Sequence, residues 1–531
     1  MKPAEHTVTP VSSKAATMSK ETPRSTGKPA AKIGSATRKR TTIDAIDPAT
    51  RQVIGTVHIT QESRIPEMIA QAKTAQQTWG RLAFAERAKS LSVLRDLIRA
   101  RAPEIADTIT LGMGKPLVEA LSFDVAMVVE DLSGYIDHGA EYLADEPVAI
   151  AAHFGAHKRA LIRYVPRGVV CVIAPWNYPF ELAMTPAITA LAAGNAVIVK
   201  PTSAVPLLGE LIERLFNDAF KDHPGLAQVV HGPGALGSVV ATSPGVDFVA
   251  FTGSTAVGRK LQAALGPLLR PSLMELGGCD PLIICDDANL ERAANATVFG
   301  RFSNNGQVCA AVKRVYVHKR VAKEYLAKVL AHVRALNVGP GKTPSSDVGP
   351  LANDRADQLL RELLQDALDK GAKLEIGGLP KSGGDWYWPP TVLTKVNSTM
   401  RLMQEEAFGP ILPIQVVKDD DEAIELANAS EYGLDAYVFS ADLDRANAIA
   451  NRLKAGSVDI NEVVVNYTMP ALPFGGVKQS GINRYHGKIG LRLFTDYKGM
   501  VIDDGTADTE PYWFPYTQAK LDAAKLQFSI S

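Results

Sequence analysis

The chain has 531 residues and a mass of 56.9 kDa, which at roughly 100–200 residues per domain predicts several domains. Hydrophobic residues make up 46% and charged residues 21%, and 57 Lys plus Arg balance 57 Asp plus Glu, so a body that binds nucleic acid or acidic membrane throughout is excluded. Four cysteines without a CxxC pair exclude a disulfide scaffold and a structural zinc module. The most apolar stretch, 182–199, is too polar for a membrane span. We therefore expect a soluble, cytoplasmic protein.

The first forty residues differ in composition from the rest. They hold nine Lys or Arg and two Asp or Glu, a net charge of +7, which leaves −7 on the remaining chain. Few of their side chains are apolar enough to offset the entropy of ordering. We predict that 1–40 is a disordered basic tail. A transit peptide, or a weak tether to nucleic acid or an acidic surface through 38–40, is the alternative.

The next segment, 64–144, is predicted to be helical because apolar residues recur at 3.6-residue spacing. Strands follow at 148–152 and 158–166. Between 168 and 277 strands and helices alternate, with strands predicted at 169–174, 196–200, 228–231, 246–251 and 272–275, and helices beginning at Phe180 and Pro206. Such alternation predicts a parallel, doubly wound sheet that binds ligands outside the carboxyl ends of its strands.

A second α/β pattern extends from 280 to about 466. Its helices are predicted at 290–302, 322–336, 354–370, 421–429 and 445–453, and its strands at 282–284, 314–317, 373–376 and 436–439. The last residues, 506–531, are predicted to be a tail that carries an aromatic cluster at 512–516. This cluster could dock on a membrane interface or pack on a partner subunit, and we favour packing.

Two glycine-containing turns join a strand to a helix in the first pattern. The GxGxxG at Gly232–Gly237 lacks the acidic residue expected about 20 positions later, so it is either a phosphate contact or a structural turn. The second turn contains Gly253, Ser254 and Gly258. It is predicted to present free backbone N–H groups at a helix N-terminus, which favours anions.

Further motifs follow in a fixed order. Ala174-Pro-Trp-Asn-Tyr-Pro179 ends one strand, Val199-Lys-Pro-Thr-Ser203 the next, and Met274-Glu-Leu-Gly-Gly278 the fifth; then come Gly306-Gln-Val-Cys309 and Glu405-Glu-Ala-Phe-Gly-Pro410. With these motifs the chain resembles the aldehyde dehydrogenase superfamily from about Ile43 to Gly481. The resemblance implies an α/β fold: a Rossmann-like doubly wound cofactor domain, a second α/β catalytic domain and a small β oligomerisation flap.

The resemblance assigns three catalytic roles. Cys309 matches the nucleophile, and its thiol, with an ordinary pKa of about 8.5, needs an electropositive setting that a bound nicotinamide ring is one candidate to provide. Asn177 matches the amide that holds the oxyanion, and Glu275 the general base that activates water, a role for which burial must raise its pKa. The other cysteines, Cys171, Cys279 and Cys285, are interpreted as structural. No metal site is predicted.

The resemblance also implies that NAD or NADP is the cofactor. Glu406 matches the carboxylate that binds the nicotinamide ribose, Phe408 and Trp176 flank the cofactor, and Lys200 reaches the adenosine ribose. The remaining predicted cofactor-binding residues are Ser203, Gly253, Ser254, Gly258 and Leu276. Many NAD-preferring members carry Glu where this chain has Ser203, and we therefore predict that NADP is accepted, because serine does not repel a 2′-phosphate.

Other departures concern the subclass and the substrate. Pro186 and the segment Tyr485-His-Gly-Lys488 are similar to the class 3 branch, and Asn483-Arg-Tyr485 replaces a Gly-Arg-Glu that conventional tetramers use. No arginine lies among the positions predicted to form the substrate funnel, which are Phe180, Met184, Phe302, Ser303, Val308 and Tyr467. Apolar aliphatic or aromatic aldehydes are therefore favoured over succinic-type semialdehydes.

The predicted domains are as follows. They comprise a basic tail at 1–40, a cofactor-binding domain at 41–146 and 167–276, a catalytic domain at 277–468, an oligomerisation or bridging segment at 147–166 and 469–503, and a C-terminal tail at 504–531. We expect a small-molecule aldehyde substrate and a homodimer or homotetramer, with no nucleic acid bound to the folded body. A CoA-acylating enzyme, a thiol hydrolase without redox cofactor and a non-catalytic protein are the rival hypotheses; Glu275 argues against the first.

Overall fold

The computed structural model describes residues 41–151, 157–380 and 386–526. The predicted basic tail lies outside these residues. The strands are β1 Thr42–Ile46, β2 Val53–His58, β3 Glu146–Val148, β4 Lys158–Pro166, β5 Val169–Ile173, β6 Ala196–Lys200, β7 Ala227–Val229, β8 Phe248–Thr252, β9 Ser272–Glu275, β10 Asp280–Ile284, β11 Val312–His318, β12 Lys373–Ile376, β13 Thr391–Thr394, β14 Ile411–Val417, β15 Asp435–Phe439, β16 Ser457–Ile460, β17 Gly481–Ile482 and β18 Thr495–Asp503.

The α-helices alternate with these strands along most of the chain. They are α1 Ile65–Trp79, α2 Phe84–Ala100, α3 Ala102–Met113, α4 Leu117–Glu119, α5 Ala126–Tyr142, α6 Glu181–Ala192, α7 Pro206–Ala219, α8 Gly234–Thr242, α9 Thr255–Leu265, α10 Leu290–Phe302, α11 Ala322–Ala335, α12 Asp354–Asp369, α13 Asp420–Asn428, α14 Leu443–Ala450, α15 Gly487–Leu493 and α16 Gln518–Leu526.

A six-stranded sheet has the order β17-β9-β8-β5-β6-β7 and is parallel except for the short edge strand β17. Every residue of β6 is buried, as expected for a strand covered by helices on both faces. The chain adds strands outward from β5 in one direction and then restarts at β8 on the other side. The carboxyl ends of β5 and β8 therefore form a topological switch point, where a ligand crevice is expected.

A seven-stranded sheet has the order β12-β13-β14-β11-β10-β15-β16, with only β12 antiparallel. The chain passes from the carboxyl end of β9 through the short connection 276–279 directly into β10. Because strands in each sheet run in parallel, the carboxyl edge of the first sheet is linked to the amino edge of the second. Residues before β11 therefore lie beside residues that follow β5 and β9.

The predicted fold class is confirmed, and several boundaries match the predictions, including those of β4, β6, β9 and α10. The strand predicted at 148–152 occupies Glu146–Val148 instead, and its last position lies outside the described residues. Within the predicted bridging segment 469–503, the long strand β18 begins only at Thr495, because Gly487–Leu493 forms a helix. The predicted C-terminal tail contains α16, whose residues are all exposed or partly exposed.

The three-stranded sheet β18-β4-β3 contains the segments predicted to form the flap. Strand β17, from the same predicted bridging segment, instead completes the edge of the six-stranded sheet. The C-terminal chain returns to β4 through Glu510, whose carboxylate pairs with Lys158 and lies 3.0 Å from His157. Across the described residues, no helix is both long and apolar enough to cross a membrane.

Candidate active site

The turn that carries Cys309 is held by hydrogen bonds from both sides. Asn304 and Asn305 have positive φ angles of 49° and 54°, in the left-handed region that asparagine tolerates better than most residues. The Asn304 N–H donates to a carboxylate oxygen of Glu119 at 2.8 Å, and the Asn305 amide donates to the Gly349 carbonyl at 2.9 Å. These buried contacts fix the approach to Cys309, which is itself partly exposed.

Asn177 follows β5 and lies beside this turn. Its side-chain amide donates to the Gln307 carbonyl at 3.1 Å, and the Asn304 amide donates to the Asn177 carbonyl at 2.9 Å. The backbone N–H of Cys309 donates to no acceptor among the described residues. The arrangement thus places an amide donor and a free backbone donor on the two loops that bracket the thiol.

Glu275 is the last residue of β9 and is only 1% exposed. Neither of its carboxylate oxygens has a hydrogen-bond partner among the described residues. Burial, followed by the negative charge of Asp435, raises the pKa of this carboxyl well above its ordinary value, and Arg484 opposes the shift. The raised pKa makes this carboxylate a stronger base than an ordinary glutamate, which suits a general base.

The thiol of Cys309 shares this environment. Burial and the negative charge of Glu275 raise its pKa well above the ordinary value, and Lys313 is the cation that opposes the rise. The electropositive setting required for a thiolate is therefore only partly built from the described residues, which is consistent with a contribution from a cationic cofactor ring.

Lys313 is a site residue that the sequence analysis missed. Its ammonium group donates to the carbonyls of Cys309 at 2.6 Å and Gly278 at 3.1 Å, and lies 3.5 Å from a carboxylate oxygen of Glu406. It thereby joins the cysteine loop to the predicted ribose-binding glutamate. The sequence signal that could have identified Lys313 is its position at the start of the buried strand β11, because a fully buried lysine needs polar partners.

The predicted nicotinamide end of the cofactor site is assembled around Glu406. Its carboxylate accepts the Gly278 N–H at 3.1 Å, and a Cβ on Gly277 would lie 2.3 Å from the other oxygen, so only glycine fits there. The rings of Phe408 and Trp176 meet edge to face with their centroids 5.5 Å apart. These residues come from three separate segments of the chain.

The predicted adenosine end contains Lys200, which is 3% exposed. Its ammonium group has no ion-pair partner among the described residues, and burial lowers its pKa to about 8. An unpaired buried cation favours an anionic or polyhydroxylated ligand. Ser203 lies in the same segment after β6 and is partly exposed.

The turn before α9 differs in one detail from its prediction. The Gly253 N–H is not free, because it donates to the Glu275 carbonyl at 3.0 Å as an extension of the β8–β9 ladder. Ser254 is the N-cap of α9 but its side chain makes no capping bond, so this N-terminus keeps donors for an anion. A Cβ on Gly258 would meet Leu276 at 2.4 Å, which makes Gly258 necessary for close packing of α9 on the following loop.

The GxGxxG motif behaves as a structural turn. A Cβ on Gly237 would lie 3.2 Å from Ile173, and one on Gly232 would lie 2.3 Å from Leu236. The motif therefore lets α8 pack closely on β5. These close packing contacts support the structural alternative over a phosphate contact.

The residues described so far provide the features that a dinucleotide requires. They include an unpaired buried lysine, an uncapped helix N-terminus, a pair of rings, and a buried carboxylate beside glycines that leave room for a ligand. NAD or NADP would be held by these groups.

A pocket of about 600 Å³, part of it open to solvent, leads to Cys309. Its wall is mostly apolar and aromatic, with Phe123, Met127, Tyr178, Phe299 and Phe474 among the lining residues. Of the predicted funnel residues, Ser303, Val308 and Tyr467 line it. The prediction was wrong for Phe180, Met184 and Phe302, which do not line the pocket. Phe180, just before α6, Met184 on α6 and Phe302 at the end of α10 are almost fully buried in the core.

A buried ion pair supports the loops of the site. The Lys115 ammonium lies 2.6 Å from an Asp124 carboxylate oxygen and 3.5 Å from the centre of the Tyr178 ring. Asp124 also accepts the Phe180 N–H at 3.2 Å, at the beginning of α6. The pair therefore connects the pocket wall to the loop that carries Asn177.

Replacing Lys115 with methionine is expected to lower the free energy of unfolding by about 3–5 kcal/mol, because a buried carboxylate then loses its cation. Urea denaturation followed by tryptophan fluorescence measures the change. The matched control is Lys89→Met, which removes an exposed ion pair to Glu86 and should cost less than about 1 kcal/mol. Equal effects of the two changes would contradict the structural role of Lys115.

The comparisons with known proteins agree with this geometry. The model of the Aldehyde dehydrogenase family matches residues 35–500. A 4,4'-diapolycopene aldehyde oxidase from Methylomonas sp is 38% identical over 481 residues, which cover 90% of this chain and 89% of that protein. An NADP(+) succinate-semialdehyde dehydrogenase from Mycobacterium ulcerans is 36% identical over 461 residues, covering 86% and 98%.

A solved structure extends the likeness to three dimensions. The crystal structure of succinate-semialdehyde dehydrogenase from Burkholderia pseudomallei superimposes with a TM-score of 0.83 at 34% identity, covering 87% of this chain and 94% of that chain. The family resemblance inferred from the sequence motifs is thereby confirmed, and so is the prediction that NAD or NADP is the cofactor. The chain belongs to the aldehyde dehydrogenase family and is an NAD(P)-dependent oxidoreductase that oxidises aldehydes.

Proposed function

We propose that this protein oxidises an apolar aliphatic or aromatic aldehyde to the carboxylic acid through a thiohemiacetal and a thioester on Cys309. The observation that carries this proposal is the pocket, which ends at the thiol and is lined largely by apolar and aromatic side chains. Neither arginine nor lysine is among its described lining residues. A substrate carboxylate would therefore enter without a partner, which disfavours succinic-type semialdehydes.

The first part of the reaction belongs to Cys309 and Asn177. The thiolate attacks the aldehyde carbon and forms the C–S bond of a thiohemiacetal, while the carbonyl oxygen gains negative charge. The Asn177 amide and the Cys309 N–H are the donors that stabilise this oxyanion. To donate to it, the Asn177 amide gives up its hydrogen bond to the Gln307 carbonyl. A bound NAD(P), which Lys200 and Glu406 would hold, would supply the hydride acceptor by which the thiohemiacetal carbon is oxidised to the thioester.

The second part belongs to Glu275. Its two oxygens lack partners in the described part of the chain, so one of them can hold a water molecule and remove its proton. The hydroxide attacks the thioester carbon, the C–S bond breaks, and the carboxylic acid leaves the regenerated thiol. Because this base can activate water, we expect the thioester to be hydrolysed and its acyl group not to be transferred to CoA.

We further propose that Ser203 permits NADP. Lys200 supplies a cation that can pair with a 2′-phosphate, and serine in the neighbouring turn adds no negative charge.

Replacing Ser203 with glutamate should lower kcat/KM for NADP by at least about tenfold and change kcat/KM for NAD little, because the added carboxylate repels the 2′-phosphate that only NADP carries. Steady-state kinetics with both cofactors checks this; Ser203→Gln, similar in size but uncharged, is the control. If the ratio of kcat/KM for NADP to kcat/KM for NAD is unchanged in the glutamate variant, a residue other than Ser203 selects the cofactor.

The proposed division of the chain follows the sheets except at β17, which belongs to the bridging segment but pairs with β9. A cofactor-binding domain spans 41–146 and 167–276, a catalytic domain 277–468, and a bridging segment 147–166 and 469–503, with tails at 1–40 and 504–531. The exposed Tyr497 and Val501 on β18, together with the exposed aromatic cluster at 512–516, support a homo-oligomer in which a second copy covers these side chains.

The test of the proposed function measures reduced cofactor by absorbance with NADP and NAD in parallel. Hexanal, benzaldehyde and succinic semialdehyde are compared, each with and without CoA. The proposal expects carboxylic acid from hexanal or benzaldehyde, without a requirement for CoA. Preference for succinic semialdehyde, or acyl-CoA as the product, would overturn the assignment of substrate or acceptor.

A further inference from the structure

One acidic side chain lies in the largely apolar wall of the aldehyde pocket. Glu181, the first residue of α6, is the single carboxylate among the described lining residues, and it is 1% exposed. The catalytic steps proposed above do not use it. A buried carboxyl group at this place destabilises the empty pocket unless all its oxygens find partners.

Only one of the two Glu181 oxygens is satisfied. The Tyr467 hydroxyl donates to Oε1, and the Tyr485 hydroxyl in turn donates to the Tyr467 oxygen at 3.3 Å. This chain of donors fixes the direction of the Tyr467 proton. Oε2 has no partner among the described residues.

The neighbouring hydroxyl and cation are already engaged. Thr185 gives its hydroxyl proton to Asp131 at 2.7 Å, so that proton is not available to Glu181. The buried cation Lys115 is paired at 2.6 Å with Asp124, the carboxylate that accepts the Glu181 N–H at 3.4 Å. No ion pair joins Glu181 to any described residue, and burial raises the pKa of its carboxyl well above the ordinary value. Burial without a cationic partner therefore favours the protonated, uncharged form of Glu181.

We propose that Glu181 forms a hydrogen-bonding subsite in the aldehyde pocket, which selects aldehydes that carry a hydroxyl group over apolar analogues of the same size. This inference rests on the proposed function, keeps its uncharged substrates, and narrows the aromatic aldehydes among them to those that carry a hydroxyl group. A site that contains an unsatisfied buried polar group discriminates strongly against a ligand that leaves the group unpaired.

A hydroxyl group fits this subsite better than either charged alternative. A neutral carboxyl group can both donate to and accept from a hydroxyl, so both partners are satisfied without a buried charge. A substrate carboxylate would find no cation on the described pocket wall. A substrate ammonium would have to ionise Glu181 close to the carboxyls of Asp131 and Asp124, which act on it in the unfavourable direction.

The test compares two aldehydes of matched size, 4-(hydroxymethyl)benzaldehyde and its apolar analogue 4-ethylbenzaldehyde. A third, larger aldehyde, 4-(dimethylaminomethyl)benzaldehyde, carries the cation. We expect wild type to show kcat/KM about tenfold or more higher for the hydroxymethyl than for the ethyl compound, the amount that one buried hydrogen bond supplies. Preference for the ethyl or the cationic compound would overturn the proposal.

Two variants separate selection from structural support. Glu181→Leu should abolish or reverse the preference for the hydroxyl compound, and Glu181→Gln should keep part of it, because an amide still forms hydrogen bonds. The control Met127→Leu, an apolar change in the same wall, should alter both kcat/KM values by similar factors. If Glu181→Leu lowers both values equally and leaves their ratio unchanged, the residue only supports the fold.

A binding measurement keeps the inference independent of turnover. Calorimetry with 4-methylbenzyl alcohol and with 1-ethyl-4-methylbenzene compares the same two groups on compounds that cannot react. Tighter binding of the alcohol, lost in Glu181→Leu, would support the subsite even if no tested aldehyde were oxidised. Equal binding of the two compounds would contradict it, whatever the activity.

Discussion

Replacing Cys309 with alanine is expected to abolish formation of reduced cofactor, with a loss on the order of 10⁵-fold or more. The thiol is the strongest nucleophile among the described residues that line the aldehyde pocket, and both proposed intermediates are attached to it. The loops that hold it, through Asn304 and Lys313, make backbone and carbonyl contacts that the alanine variant keeps. The variant should therefore fold and still bind the cofactor.

The control for this prediction is Cys285→Ala. Cys285 is also buried but lies in a separate core cluster next to β10, away from the pocket. Its replacement should change kcat by less than about threefold and cost a modest amount of stability. Comparable losses in the two variants would mean that the activity depends on thiols in general, for instance through folding. Residual turnover of a few per cent in Cys309→Ala would identify a different nucleophile.

Replacing Glu275 with glutamine is expected to stop turnover and leave the first chemical step in place. General-base catalysis typically contributes 10²- to 10⁴-fold, so the steady-state rate should fall by about that factor. The amide has nearly the shape of the acid, and Glu275 makes no side-chain hydrogen bond with described residues that the change would break. Rapid mixing with aldehyde and NADP should still give a burst of reduced cofactor close to one equivalent per active site.

The pH dependence of the steady-state rate is a second, independent test of the role of Glu275. The base must be unprotonated, and burial raises its pKa, so the wild-type steady-state rate should increase as pH rises through that raised value. The burst of the glutamine variant should still increase with pH, because the pKa of the Cys309 thiol is raised as well. A steady-state rate independent of pH, or a variant without a burst, would contradict the role assigned to Glu275.

Much of the site could be predicted from local sequence because catalytic groups follow regular strands. Lys200 and Glu275 each end a strand whose boundaries match the prediction, and parallel strands bring their carboxyl ends to one edge. The family resemblance then supplied roles that spacing cannot supply. The catalytic assignments themselves stay predictions until the variants are measured.

The parts that escaped prediction depend on contacts between distant segments. Glu181 lies in a run that is otherwise apolar, and its environment is formed by Tyr467, which is 286 positions away. Lys313 looks like an ordinary charged residue at the start of a strand, and only the three-dimensional structure brings it to Glu406. The free donor expected at Gly253 is used by Glu275, since the register of β8 and β9 places their ends side by side.

The central claim is that the substrate is carried as a thioester on Cys309. Intact-protein mass spectrometry of Glu275→Gln, mixed with benzaldehyde and NADP and quenched in acid, tests it most directly. The account predicts a mass increase equal to one benzoyl group, located on the peptide that contains Cys309 and absent when the cofactor is omitted. Full cofactor reduction with no acyl group on Cys309 would contradict it.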